Sequence, residues 1–243
     1  MPPICWHLAT SRLAAQRLAH RAIQDHLGCF LLGTTAPDIR VMLQVPREQT
    51  HFYDLARTEQ ESGARRIFQL YPDLTSPSLR DDAQRALVAG YLTHLAVDER
   101  WIETVYRPCF GRESPLTQDP AANLLDRIVQ FEIDRRERVQ HARMEEIDRL
   151  LLGYHSAGIG FLDGPTLVTW RDRIRGIVAQ EPTWDLFRRF AGRYYASEAA
   201  DHIMAQVPEL LERALDYLTP DRVDSFREQA IAISAEVVEG YLE

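Results

Sequence analysis

The sequence contains no lysine, so all 28 of its basic side chains are arginines. The lack of lysine excludes Schiff-base chemistry and the lysine-bearing phosphate loop of nucleotide-binding proteins. Any cationic side chain that binds phosphate must therefore be an arginine, which binds phosphate through paired hydrogen bonds.

Cysteine is scarce as well. Cys5, Cys29 and Cys109 lie far apart and form no Cys-x-x-Cys pair, which excludes a four-cysteine zinc site and a disulfide scaffold. No stretch approaches the ~18 apolar residues that span a bilayer, and the N-terminal segment lacks the pattern of a secretory signal. Together with the unpaired cysteines, these absences predict a cytoplasmic protein without a transmembrane segment.

Basic charge is also in deficit. The chain has 36 acidic and 28 basic residues, for a net charge of -8. This balance argues against nucleic acid as a partner, because sequence-independent binding depends on neutralising phosphates. Hydrophobic residues make up 45% and charged residues 26%, which excludes wholesale disorder and collagen-like structure. The side chains that remain as candidates for catalysis or metal binding are the eight histidines and the carboxylates.

The apolar spacing is helical almost throughout and predicts a single all-α domain, a multi-helix bundle. The first helix is predicted to begin at a cap on Thr10 or Ser11. A glycine-rich segment at 153–164 is a possible break within the domain. The later helices are predicted over 57–71, 81–105, 120–152, 165–179, 183–217 and 220–241, and loops over 33–38, 72–80 and 107–120. Pro208 is a possible break within 183–217.

The segment 83–105 is apolar around nearly its whole circumference, which indicates a buried helix. Within it, His94 and Asp98 are four residues apart and therefore lie on one face, one turn apart. A buried carboxylate needs a partner or a metal, because an unpaired charge in a core costs several kcal/mol. Two interpretations stay open: a core His–Asp pair, and half of a metal site.

Three further residues are candidate ligands. Asp38 follows Pro37 in a loop, His51 lies thirteen residues later, and His7 stands near the N-terminus, just before the predicted first helix. Each has an ordinary explanation by itself, as a turn aspartate, a loop histidine or a packed histidine. Taken together, their order in the sequence and the residues around them are a more specific signal than any one of them alone.

Four stretches resemble the zinc-dependent phospholipase C and S1/P1 nuclease superfamily, which is all-α and binds up to three metal ions. They are Cys5-Trp6-His7-Leu8, Gly33-Thr-Thr-Ala-Pro-Asp38, Thr50-His51-Phe52-Tyr53-Asp54 and Gly90-Tyr-Leu-Thr-His94-Leu-Ala-Val-Asp98. The resemblance implies that Asp38, His51, His94 and Asp98 hold one metal, and that His7 contributes to a second, with Asp98 bridging. It makes residues 1–105 the metal-site core and 107–243 a set of additional helices.

The chain departs from that family in several places. Trp6 is internal, whereas the family's metal-binding tryptophan is N-terminal, and Thr104 stands where the family has another histidine ligand. His141 and Glu145 have the spacing of a later ligand pair, but their charged helix favours a solvated face. Further candidates for ligands from the second half are Glu132, Asp134 and His202.

Two histidines and two aspartates suit zinc, with manganese or iron(II) as alternatives. Such a metal lowers the pKa of bound water to about 7 and polarises a phosphoryl oxygen. We therefore expect hydrolysis of a small-molecule or lipid phosphoester by a metal-bound hydroxide, with Asp38 as the catalytic group that orients the water. Candidates for the rest of the pocket are Tyr53, Tyr91, Trp101 and an arginine, with Arg40 and Arg100 near the ligands in sequence.

Two other classes of function remain open. In a non-catalytic helical module, the polar residues would only order the core. A different helical metalloenzyme, of the di-iron or small-molecule tailoring type, would need further ligand pairs. Glu198 and His202 have i,i+4 spacing and could form one such pair.

Overall fold

The computed structural model describes residues 2–18, 20–53, 62–76 and 80–243. Within these ranges the chain is helical and has no strand beyond an isolated bridge between Ile159 and Leu162. This confirms the prediction of an all-α protein. In the same ranges, no helix combines the length and the apolar character that crossing a membrane requires.

The helices follow one another in chain order, with short connections. The α-helices are α1 (Ile4–Leu18), α2 (Arg21–Asp25), α3 (Leu27–Gly33), α4 (Arg40–Leu43), α5 (Glu48–His51), α6 (Gly63–Leu70), α7 (Asp82–Trp101), α8 (Arg107–Cys109), α9 (Ala122–Val139), α10 (His141–Leu151), α11 (Gly164–Val178), α12 (Asp185–Tyr194), α13 (Ser197–Ala205), α14 (Val207–Leu215) and α15 (Pro220–Leu242). Shorter 3-10 turns span Ala36–Ile39 and Pro72–Thr75, and a π-helical turn, Ile102–Tyr106, continues α7.

The first helix begins earlier than predicted. α1 starts at Ile4, so Thr10 and Ser11 are buried inside it rather than at its start. The reason is a tertiary contact: the backbone N–H of Cys5 donates to Oδ1 of Asp134 at 3.0 Å, which satisfies a free donor of the first turn. His7, predicted to precede the helix, consequently lies on its buried face.

Two long predicted helices are interrupted. The segment 120–152 divides into α9 and α10 because Gln140 leaves the helical region, at φ -81° and ψ 65°. The segment 183–217 divides into α12, α13 and α14, the last beginning beside Pro208. The break beside Pro208 agrees with the prediction. Charged and apolar residues keep their helical spacing across the other breaks, so the pattern does not mark those.

The remaining boundaries differ less. The predicted loop at 107–120 begins with a helical turn, α8, because Pro108 is tolerated at the start of a helix. Of the predicted helix 57–71, α6 covers 63–70, and 57–61 lie outside the described residues. Helices α11 and α15 match the predicted 165–179 and 220–241 within one residue at each end.

The close approach of α3 to α7 depends on two glycines. A Cβ atom at Gly33 would lie 2.2 Å from the carbonyl oxygen of Leu87, and one at Gly90 would lie 2.1 Å from that of Phe30. No larger side chain fits at either position without moving a backbone. The contact brings the turn that follows α3, with Thr34 and Asp38, against the polar face of α7.

Candidate metal centre

Five polar side chains from four elements meet at one point inside the helical core. They are the five sequence-predicted ligands: His7 on α1, Asp38 in the turn after α3, His51 on α5, and His94 and Asp98 on α7. The ligand atoms of His7, His94 and Asp98 all lie within 4.8 Å of one another, and so do those of Asp38, His51 and His94. The fold thus gathers residues that are far apart in the sequence.

Asp98 is at the centre of the cluster and is fully buried. Its Oδ2 atom lies 3.4 Å from Nε2 of His51 and 3.5 Å from Nε2 of His94. Its Oδ1 atom lies 3.4 Å from Nε2 of His7. Asp38 is the most exposed of the five, with 14% of its side chain exposed, and its Oδ1 atom lies 3.7 Å from Nε2 of His51. Asp38 therefore marks the side of the cluster nearest to solvent.

The ring of His94 is oriented by the turn that follows α3. Its Nδ1 atom lies 2.8 Å from the carbonyl oxygen of Thr34, which can only accept, so Nδ1 must carry a proton. This leaves Nε2 towards the cluster, 3.2 Å from Nε2 of His51. Backbone carbonyls commonly orient metal-binding histidines in this way.

A second chain of hydrogen bonds orients His51. Its Nδ1 atom lies 3.0 Å from Oγ1 of Thr50, and the Thr50 hydroxyl donates to the carbonyl of Arg47 at 3.3 Å. The threonine oxygen therefore accepts from Nδ1, and Nε2 again faces the cluster. The hydroxyl of Tyr91 donates to the Thr50 carbonyl at 2.5 Å, which ties α5 to α7.

The residue after His51 has an uncommon backbone conformation. Phe52 has φ 60° and ψ 16°, in the left-handed region that large side chains rarely occupy. Its ring packs edge-on against Tyr71 and Phe161, at centroid distances of 6.0 and 5.6 Å. This packing offsets the strain at Phe52, which ends α5 directly after the histidine.

His7 joins the cluster from α1. Its ring stacks on that of His94, with centroids 4.3 Å apart and planes 17° from parallel. Nε2 of His7 and Oδ1 of Asp98 are both buried, and neither has a hydrogen-bond partner within the described part of the chain. Orphaned buried atoms of this kind are costly unless something else satisfies them.

Burial and neighbouring charge set the protonation of the cluster. Burial lowers the pKa of His51 to about 4 and also lowers the pKa of His7, so both rings are neutral at pH 7. Burial also acts to lower the pKa of His94, but the charge of Asp98 and its hydrogen bond outweigh this and raise it. Burial raises the pKa of Asp98, but the neighbouring His94, His51 and His7 hold it well below its usual range. Asp98 is therefore ionised, and the neutral rings of His7 and His51 add no positive charge beside it.

Arg47 lies inside the site, although the sequence did not predict it there. Nη2 of Arg47 donates to Oδ2 of Asp98 at 2.8 Å and to the hydroxyl of Tyr53 at 2.6 Å. Arg47 is only 8% exposed, and its guanidinium lies 5.1 Å from the centre of the Tyr53 ring. Burial lowers the pKa of Arg47, but Asp98 outweighs this and raises it, so the side chain is a permanent cation.

The other predicted pocket residues have different positions. Arg100 is exposed and Arg40 is half-buried on α4. Trp101 is fully buried and packs in the core against Phe226, with ring centroids 5.0 Å apart, so it lines no open pocket. Tyr91 is fully buried and acts on the site through the Thr50 carbonyl.

The candidate carboxylates of α9 are satisfied elsewhere. Asp134 accepts from the backbone of Cys5 and, at 3.1 Å, from Nε of Arg138. Glu132 accepts from Nε of Arg135 and of Arg136 at 2.7 and 2.8 Å. Both carboxylates therefore have ordinary structural roles that leave them no part in the five-residue cluster.

The more distant candidates are on the surface. His141 and Glu145 are exposed on α10, in agreement with a solvated helix face. Glu198 and His202 are exposed on α13. Within the described residues, no group of close ligand atoms includes any of these four side chains.

The signal that could have identified Arg47 is its spacing. Arg47 and His51 are four residues apart in Arg-Glu-Gln-Thr-His, so a helix at this segment places both on one face. Pro46 is a loop signal directly before this segment, so the sequence by itself does not favour a helix there. Thr34 and Thr50 carried no signal of their own, because they orient the histidines through a carbonyl and a hydroxyl that any local fold could supply.

The donor set fits a divalent transition metal. Three imidazole nitrogens and two carboxylates are the ligands that zinc takes most often besides cysteine, and manganese or iron(II) accept the same atoms. Both well-oriented histidines present Nε2, and the orphaned atoms of His7 and Asp98 point into the same space.

No protein-family model, curated protein or solved structure matches the chain. The interpretation of the site therefore depends on its own geometry and chemistry.

Proposed function

We propose that the chain is a metal-dependent hydrolase that cleaves a phosphate ester, in the manner of the phospholipase C and S1/P1 nuclease superfamily that its sequence resembles. The observation that carries the proposal is the convergence of His7, Asp38, His51, His94 and Asp98, whose ligand atoms form two overlapping groups within 4.8 Å. A core that needed only a satisfied His–Asp pair would have no use for three histidines and a second aspartate.

In this proposal His51, His94, Asp38 and Asp98 hold the metal, which is zinc, and His7 completes the set. When bound, such a metal lowers the pKa of water and polarises a phosphoryl oxygen. The protein's part is to hold Nε2 of His51 and His94 in place through Thr50 and Thr34, and to exclude water from the buried side of the cluster.

Asp38 has the position of the group that orients the attacking water. It is the ligand nearest to solvent, whereas His51, His94 and Asp98 are fully buried. A carboxylate with one oxygen 3.7 Å from His51 can turn its other oxygen outward to accept a proton from water. The substrate is a small-molecule or lipid phosphoester that approaches from this side.

The experiment is a panel of phosphodiesters and phosphomonoesters, assayed with zinc-loaded protein and again after removal of the metal with a chelator. We expect hydrolysis that the chelator abolishes and added zinc restores. The matched variants are His94→Ala in the site and His141→Ala on the exposed face of α10. The proposal fails if no phosphoester is cleaved, or if chelation and His94→Ala leave cleavage unchanged.

One contact favours a second function, a non-catalytic helical module. The guanidinium of Arg47 already neutralises Asp98 at 2.8 Å, as a purely structural ion pair would. A chain with that function would fold identically and show the same melting temperature with and without zinc, because a ligand stabilises only the state that it binds.

A further inference from the structure

We propose that a cleft between α9 and α15 binds an organic acid, whose carboxylate group contacts a set of arginines and whose apolar chain packs against the cleft's wall. The cleft has a volume of about 370 Å³ and is lined by side chains from α9, α10, α14, α15 and their connections. None of the five residues of the metal cluster lines it. The inference therefore goes beyond the proposed function and does not depend on it.

Two arginines of the cleft meet at one buried carboxylate. Oε2 of Glu137 accepts from Nη1 of Arg143 at 3.2 Å, and Oε1 accepts from Nη2 of Arg227. Glu137 is only 4% exposed, and the guanidinium of Arg227 also lies 5.6 Å from the centre of the Trp6 ring. One carboxylate thus holds two positive charges close together, and an anion beside them would reduce their repulsion.

A second buried carboxylate holds another pair of arginines. Glu132 accepts from Nε of Arg135 and of Arg136 at 2.7 and 2.8 Å. The side chain of Arg136 is 49% exposed, and within the described part of the chain it makes no other hydrogen bond. Its two Nη atoms consequently keep their donors for a ligand in the cleft.

The charges around the cleft favour a ligand with a single negative charge. The lining includes three arginines and the carboxylates of Glu132, Glu137 and Asp224, and Arg135 adds a fourth positive charge at Glu132. The group therefore has one net positive charge. A carboxylate ligand would neutralise it, whereas a phosphate monoester carries about 1.5 to 2 negative charges at pH 7. The planar fork of arginine also matches the shape of a carboxylate.

The remaining wall of the cleft is apolar. It consists of Val129, Ile133, Leu215, Leu218, Pro220 and Val223. Pro220 is exposed and Leu215 is half-buried, so part of this wall faces water. A small inorganic anion would leave the wall in water, whereas an alkyl chain would cover it and gain the free energy of apolar burial. We therefore expect the carboxylate to belong to an apolar acid.

The experiment is a calorimetric titration of the full chain with hexanoate, with acetate and hexyl phosphate for comparison. The variant is the double substitution Arg136→Gln/Arg143→Gln, in which each buried carboxylate keeps one of its two arginines. Arg149→Gln, at an exposed position on α10, is the matched control. Wild type and Arg149→Gln should bind hexanoate equally, and the double variant should bind it at least about tenfold more weakly. Acetate, which lacks the chain, should also bind wild type at least about tenfold more weakly than hexanoate does.

The inference is overturned if wild type does not bind hexanoate, or if the double variant binds it as tightly as wild type. Hexyl phosphate that binds more tightly than hexanoate would overturn the assignment of a carboxylate. If the double variant does not fold, Arg136→Gln alone decides by the same comparison.

A titration in the presence of a chelator separates this cleft from the metal centre. Hexanoate affinity should be the same with and without chelator, and binding that the chelator abolishes would belong to the metal centre and overturn the cleft as its site. A chain that cleaves no phosphoester but binds hexanoate through these arginines would refute the proposed function and support this inference.

Discussion

Buried carboxylates on α9 and on α7 have different kinds of partner. On α9, Glu132, Asp134 and Glu137 are each at most 5% exposed, and arginines neutralise all three. On α7, Asp98 is fully buried, and it faces three histidines as well as one arginine. Both clusters satisfy the rule that buried charges need partners.

The two clusters differ in whether their carboxylates' partners carry an unshared electron pair. An arginine is a donor only, so a carboxylate that it neutralises is complete. A neutral imidazole carries an unshared electron pair, and the cluster on α7 gathers several at one point. Burial of a carboxylate by itself therefore does not indicate a functional site, whereas burial beside oriented imidazole nitrogens does.

The largest effect expected from this contrast is on metal binding. His94→Ala and Asp98→Ala each remove a proposed ligand, so zinc affinity should fall by more than the ~10–100-fold typical when a ligand's hydrogen-bond partner is lost. The measurement is zinc content after dialysis against a weak chelator, with His141→Ala as the control. A full zinc load in both site variants would show that the α7 cluster is as structural as the one on α9.

The second expected effect is on stability and belongs to the α9 cluster. Arg138→Met leaves Asp134 buried without its counterion, and removal of one partner of a buried pair costs about 3–5 kcal/mol. Chemical denaturation should show this loss, with zinc affinity unchanged. Arg149→Met, on the exposed side of α10, should change the free energy of unfolding by less than about 0.5 kcal/mol. Loss of zinc from folded Arg138→Met would contradict the separation of the two clusters.

A third variant tests how the histidines are held. Thr50→Val keeps the shape of the side chain but removes the oxygen that accepts from Nδ1 of His51. Zinc affinity should fall by about 10–100-fold, as is typical when a ligand's hydrogen-bond partner is lost. Thr104→Val, whose hydroxyl donates within its own helix to the Arg100 carbonyl, is the matched control. Equal affinities in the two variants would mean that Thr50 does not position His51.

The smallest effect is a dependence on pH at Glu132. Burial raises its pKa, but hydrogen bonds from Arg135 and Arg136 outweigh this and lower it. A lowered folded-state pKa stabilises the protein above the unfolded value of about 4.3, and this stabilisation is lost as the pH falls towards the folded-state value. Because both arginines are partly exposed, the contribution is about 1 kcal/mol or less.

Denaturation of wild type and Glu132→Gln between pH 3 and about 7 measures this contribution. The difference in unfolding free energy should be largest above about pH 5 and should shrink on acidification. Glu145→Gln, at an exposed position on α10, should show no such trend. A constant difference across the range would mean that Glu132 keeps the same pKa when the chain unfolds.

The apolar spacing of the sequence predicted the helical class, and the i,i+4 spacing of His94 and Asp98 survives in any packing of their helix. The other members of the cluster, His7, Asp38 and His51, were predicted only through the resemblance of their stretches to a known family. The start of α1 could not be predicted, because Asp134 caps it from another part of the chain. The place of Arg47 in the site was not predicted for a similar reason, because its contact with Asp98 forms only when distant parts of the chain fold together.

The most direct test of the metal site is a diffraction experiment on crystals of zinc-loaded protein, with anomalous data collected at the zinc absorption edge. The proposed site predicts a peak about 2 Å from Nε2 of both His51 and His94, with a carboxylate oxygen of Asp98 bound to it. The absence of a peak at that point would contradict the metal site.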